Sequence, residues 1–178
     1  MEEQPQLVMF NPSLAGLPEV QLASDYTVRS FQPGDEAAWE TIINEAFGVE
    51  YRFAMMADDD EYRPERIFFI CWEGKPVATA SAWWRKQWGD ETGYLHMVGA
   101  LAAHAGRKLG YMVSLAAMHR MAEEKRVSAI LNTDDSRLAA IVSYLKLGYE
   151  PEIADPGQIE RWKLIFGQIN DQERLKRL

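Results

Sequence analysis

The chain has 178 residues, enough for one substantial hydrophobic core and too few for two comfortable domains, and at 47% hydrophobic and 26% charged it has the composition of an ordinary soluble globular protein. Its 19 lysines and arginines against 27 aspartates and glutamates leave a net charge of −8, which argues against the basic face that nucleic acid or an anionic membrane rewards. Cys71 is the only cysteine, no apolar run approaches the roughly 18 residues of a membrane span, and the start MEEQPQ is acidic where a signal peptide is basic, so we expect a cytoplasmic protein without disulfides, a cysteine zinc cluster or another bound metal.

Residues 1–24 hold Pro5, Pro12, Pro18 and Gly16 among scattered apolar residues. Such a segment suits neither a long helix nor a central strand, and it reads as an extended arm over the surface of a single domain spanning residues 25–178. Tyr26-Thr27-Val28-Arg29 has strand chemistry, and Asp35 after Pro33-Gly34 is placed to cap a helix whose apolar stripe is Trp39, Ile42, Ile43 and Ala46 and whose stop is Gly48. The run Asp58-Asp59-Asp60-Glu61 lacks the alternation, glycine and distal glutamate of a calcium loop, so it reads as a solvated loop that would favour an amine if it lined a cleft.

Residues 67–72 and 77–83 are strand-like runs joined by Glu73-Gly74-Lys75-Pro76, the signature of an antiparallel hairpin. Trp83, Trp84 and Trp88 cluster at its far end, and packing is the commoner use of such aromatics than a ligand wall. After the turn Gly89-Asp90-Glu91 comes Tyr94-Leu95-His96-Met97-Val98, the third strand of a meander. From there the pattern changes. Leu109, Met112, Val113 and Ala116 mark a helix, residues 129–133 a short buried strand, and Leu138, Ile141, Val142 and Leu145 a second helix, with N-cap candidates in Asp134-Asp135-Ser136 and a stop at Gly148. The helix between two strands makes a parallel pair with a right-handed crossover, so the sheet is expected to be mixed. Tyr149 opens a last strand, and Trp162, Ile165, Phe166 and Ile169 mark a C-terminal helix.

The glycine-bearing turn between the strand ending at Val98 and the helix marked by Leu109 leaves N–H groups without partners and forms an anion cradle. No P-loop, catalytic triad or metal-ligand spacing accompanies it. The turn and helix, HAGRKLGYMVSLAAMH, resemble the acyl-coenzyme A signature R/Q-x-x-G-x-G/A of the GNAT superfamily of N-acetyltransferases. Ala140, Tyr144, Gly148 and Tyr149 are similar to its second signature, an alanine, a tyrosine four residues on, and a glycine-aromatic pair after four more. The order of elements over residues 26–153 resembles that superfamily too.

The resemblance implies an α/β fold of GNAT type, with an antiparallel N-terminal meander, a parallel strand pair with its crossover helix, and a C-terminal helix. It implies acetyl-CoA as co-substrate, with its pantetheine arm on the strand backbone of Met97, Val98, Gly99 and Ala100. The pyrophosphate would lie at the turn and helix start formed by His104, Ala105, Gly106, Arg107, Lys108, Leu109, Gly110 and Tyr111. It implies Tyr144 as the general acid toward the departing thiolate, with the oxyanion held by backbone N–H near Val98. His96, on the same strand face as Tyr94, is the candidate base that takes the amine proton directly or through water, and a partly buried structural histidine is its plain alternative. Two positions depart from the signature. Ala105 replaces the arginine or glutamine, and Lys108 replaces the middle glycine, so weaker or altered coenzyme binding is expected, with the charges of Arg107 and Lys108 compensating.

The function these readings give is acetyl transfer from acetyl-CoA to a small-molecule or peptide amine, with the acceptor, and with it a homodimeric or other assembly, left open. A non-catalytic acyl-CoA-binding or regulatory domain is the rival reading, and an interaction domain using the tryptophan-rich edge is a third.

Overall fold

The computed structural model describes residues 4–178. Seven strands, β1 (Leu7–Asn11), β2 (Tyr26–Ser30), β3 (Ile67–Trp72), β4 (Lys75–Trp84), β5 (Thr92–Ala100), β6 (Ser128–Thr133) and β7 (Glu150–Glu152), form one sheet in the order β2-β3-β4-β5-β6-β1-β7. β2 to β5 are successive antiparallel neighbours, β5 and β6 are parallel, and β1 is antiparallel to both β6 and β7. The mixed sheet and its parallel pair are as the sequence implies. The β3–β4 hairpin turns on Glu73 and Gly74, both at positive φ (48° and 79°), which matches the twist of the strands they join.

Helices cover both faces of the sheet. On one lie α3 (Leu109–Glu123), α4 (Leu138–Lys146) and α5 (Gly157–Gln168), whose Leu115, Ile141 and Trp162 join strand residues such as Leu95 and Leu131 in the larger core. On the other lies α1 (Glu36–Phe47), with Trp39, Ile42 and Ile43 packed on Phe69, Trp83 and Met97. Gly48, at φ 70°, ends α1. The short helices α2 (Ala54–Ala57) and α6 (Gln172–Leu175) complete the set, and no helix among the described residues is long and apolar enough to cross a membrane.

The N-terminal segment departs from its expected course as a surface arm. Leu7–Asn11 is an interior strand, with Leu7 and Met9 fully buried and hydrogen-bonded neighbours on both sides. Pro5 and Pro12 flank this strand instead of interrupting it, so neither removes a ladder donor. The caps differ as well. The Asp35 carboxylate does not cap α1 but accepts from Arg29 and from the Gln32 N–H, and Arg29 holds its pKa below the usual carboxylate range. α4 begins at Leu138 without a side-chain cap, because Asp134 accepts from Gln6 and Asp135 from Arg161.

The feature that makes a site is where β5 and β6 part. Their pairing runs only from Thr92↔Ser128 to Tyr94↔Ile130, after which the strands diverge. On the other side of β5, the register with β4 slips between Thr79↔Gly99 and Ser81↔His96, and Met97 takes a positive φ of 50°. This is a bulge, with one extra residue in β5, and it bends the strand away from β6. α1 closes over the wedge through Gly99, where a Cβ would lie 3.1 Å from the Ala46 Cβ and 3.2 Å from Ile43 Cδ1.

Candidate active site

Two spaces with shared walls lie along the wedge. A groove of about 700 Å³ runs from Val98 through Ala100 to the turn at Ala105, Gly106 and Lys108, with α4 residues Leu138 to Ala140 and Ser143 as its opposite wall. A smaller cavity of about 170 Å³ lies deeper, between β5 residues Tyr94 to Val98 and Asn132, Thr133 and Tyr144, and is closed outward by Phe47, Tyr51 and Met55. Phe47, Val98, Asp134 and Arg137 line both, and therefore mark the junction.

The turn at the far end of the groove is built as a cradle. After a short 3₁₀ turn, Ala102–His104, Gly106 adopts φ 77° and Lys108 φ 57° before α3 begins. The N–H groups of residues 106–111 find no acceptor among the described residues, and no side chain caps α3. Such a row of free donors at the positive end of a helix fits a phosphate. The left-handed backbone at Lys108 shows why a glycine suits that place: an L-residue there carries roughly 1–2 kcal/mol of strain.

Of the residues singled out as coenzyme contacts, Val98, Gly99, Ala100, His104, Ala105, Gly106, Lys108, Leu109 and Gly110 line the groove. Met97 lines the inner cavity instead. Arg107 turns away. Its guanidinium donates to the Tyr26 hydroxyl (2.6 Å), which also bonds His104 Nδ1 (2.7 Å), so Arg107 braces the turn from behind instead of facing it. Tyr111 lies on another part of the surface, beside Pro18 and Lys146.

Tyr144 projects from α4 into the inner cavity, 5% exposed, and no hydrogen bond among the described residues uses its hydroxyl. Burial pushes its pKa up to about 12, against a smaller opposing effect of the Arg137 charge. The phenol stays protonated at neutral pH and is able to donate. His96 lines the same cavity, stacked on Tyr94 with ring centroids 4.8 Å apart. Burial, aided by the Arg85 charge, pulls its pKa down to about 4. It is neutral at physiological pH and a weak base.

The acidic run of residues 58–61 is not a wall of this site. Asp59 pairs with Arg85 (2.8 Å) and Glu61 with Arg66 (3.2 Å), and neither lines the groove or the cavity. The tryptophans divide: Trp83 is buried, Trp84 donates to Gly89 O, and Trp88 packs on Tyr94. Arg137 escaped the sequence reading. Its guanidinium lies 3.9 Å from the Phe47 ring centroid and donates to Val98 O (3.1 Å) at the bulge. A signal existed, since Arg137 precedes Tyr144 by seven residues and so shares its helical face.

The geometry agrees with what comparison with known proteins shows. The model of the acetyltransferase (GNAT) family matches residues 36–149, and the chain belongs to that family. Among curated proteins it is similar to a mycothiol acetyltransferase of Nocardia farcinica, 26% identical over 151 residues that make up 78% of this chain and 50% of that protein. It is likewise similar to a mycothiol acetyltransferase of Streptomyces griseus, 28% identical over 78% of this chain and 48% of that one. The chain thus spans about half the length of these curated relatives. Among solved structures, a GCN5-related N-acetyltransferase from Sphaerobacter thermophilus shares the fold with a TM-score of 0.64 at 20% identity, over 84% of this chain and 50% of that one. The ribosomal-protein-S18-alanine N-acetyltransferase of Escherichia coli shares it with a TM-score of 0.60 at 19% identity, over 72% and 79%.

Proposed function

We propose that the protein transfers an acetyl group from acetyl-CoA to an amine held in the inner cavity. The observation that carries this reading is the wedge itself: the groove bordered by the turn with the free N–H groups of residues 106–111 runs along the edge of β5 that β6 leaves unpaired, and it shares the walls Phe47, Val98, Asp134 and Arg137 with the cavity that Tyr144 lines. The residues present fit acetyl-CoA, which supplies the activated acetyl group as a thioester. Residues 106–110 hold the pyrophosphate by backbone donors, and the edge of β5 beyond Tyr94, free of β6, offers the arm its N–H and C=O groups. Lys108 at the mouth adds a positive charge to this end of the groove.

The chain's own residues then have distinct tasks. Val98 presents backbone at the bulge, where its N–H stabilises negative charge developing on the acetyl oxygen. Tyr144, protonated through the neutral range, gives its proton to the departing sulfur. His96, held neutral, accepts a hydrogen bond from the entering amine or from a water beside it; its depressed pKa suits orientation better than full proton abstraction. Tyr51, between α1 and α2, and Met55, in α2, form the outer wall against which the acceptor packs.

Thiol release from acetyl-CoA over a panel of amines tests the activity. Release that depends on an amine and on Tyr144 supports it. Binding of acetyl-CoA with no release toward any amine overturns the catalytic reading and leaves a coenzyme-binding domain.

A further inference from the structure

We propose that Arg137 recognises a carboxylate on the acceptor, so that the amine this protein acetylates belongs to an amino acid or a similar amino-carboxylate. The inference rests on the acetyltransferase reading above and names the substrate class of the same cavity. Arg137 lines both the groove and the cavity, whereas the phosphate-holding turn borders the groove alone. Among the described residues it makes no ion pair, whereas Arg66, Arg85, Arg161 and Arg174 are each tied to carboxylates. Its plane is fixed on Phe47, and Val98 O takes one of its five donors. The remaining fork is preorganised for a planar, bidentate anion. Among the described residues, the one carboxylate on the cavity wall, Asp134, accepts from Gln6 (3.1 Å) and does not pair with Arg137.

The cavity that Arg137 borders is also lined by His96, which burial keeps neutral and able to accept a hydrogen bond from an amine, while a carboxylate on the same small molecule meets Arg137. A polyamine would place a second positive charge near an unpaired guanidinium.

The test compares matched acceptors with and without the carboxylate: phenylalanine against phenethylamine, lysine against cadaverine, and glycine against methylamine. In the wild type, kcat/KM for thiol release should favour the amino acid of at least one pair by about tenfold or more, the range of a charged hydrogen bond. Arg137→Gln should collapse that ratio to near one, mainly through KM, and Arg137→Lys should restore part of it. Thermal shift with the same ligands gives a readout without turnover: amino acids should stabilise the wild type more than their decarboxylated partners, and this difference should vanish in Arg137→Gln. No preference for the carboxylate in the wild type, by rate or by binding, overturns the proposal. So does a variant that loses both members of a pair equally. If no amine is turned over but carboxylate-dependent binding is present and lost in the variant, the acetyltransferase reading fails while the recognition by Arg137 stands.

Discussion

The two ends of the wedge are made of different materials. At the turn before α3, the binding groups are main-chain N–H donors of residues 106–111, and the neighbouring side chains are small, exposed or turned away. At the inner end, the groups that can act are side chains: Tyr144 from α4, His96 from β5 and Arg137 just before α4. A backbone site tolerates substitution so long as the chain keeps its path, whereas a side-chain site fails one residue at a time. The same scaffold can therefore keep one co-substrate while changing its acceptor.

The sharpest test of this contrast is Tyr144→Phe. Removing the proton donor should lower kcat by about 10²- to 10⁴-fold, the usual span for general acid catalysis, while calorimetry shows acetyl-CoA affinity within a few-fold of wild type. A loss of affinity as large as the loss of rate would mean that the two ends are not separable.

His96 gives the next largest effect, on stability. Its pKa is about 4 in the folded chain against 6.5 ordinarily. The unfolded chain therefore takes up a proton first as pH falls, so the contribution is fully present above pH 6.5 and lost progressively down to about 4. The loss should be roughly 2–3 kcal/mol, read as a falling urea midpoint over that range. His96→Gln should flatten this part of the curve, and an unchanged slope would contradict the buried, neutral state.

Gly99→Ala probes the frame between the two ends. Its Cβ would crowd Ala46, Ile43 and Ile42 of α1 at 3.1 to 3.3 Å, and the cost should be about 1–2 kcal/mol of stability, the scale of modest overpacking. The smallest effect belongs to the cradle. Lys108→Gly relieves the strain of φ 57° but loosens the unfolded chain, so the net gain should be a few tenths of a kcal/mol to about 1. If the cradle works through its backbone, acetyl-CoA affinity should change only a few-fold. A change of a hundredfold would give the Lys108 ammonium the role assigned here to the main chain.

These differences also explain what could be read in the sequence. The crossover helix, the meander and the cradle are local: periodicity marks Leu109, Val113 and Ala116 as one helical face, and the turn at Gly106 falls between two recognisable elements. Tyr144 was legible because it sits at a fixed spacing from Ala140 and Gly148. β1 was not, since its reason for being a strand lies in partners more than a hundred residues away, between β6 and β7. The β5 bulge at Met97 leaves no residue signature, and it sets where the wedge opens. Arg107 and Arg137 show the same limit in opposite directions. The one expected at the phosphate turns to Tyr26, and the one passed over stands at the junction, each by tertiary contacts that spacing does not encode.

Titration of acetyl-CoA into the protein by calorimetry, with melting followed in parallel, tests the central claim most directly. The wedge predicts saturable binding at one site per chain, and at a hundredfold excess over Kd a stabilisation of about 2.7 kcal/mol. Neither heat nor a rise in Tm at millimolar acetyl-CoA would contradict it.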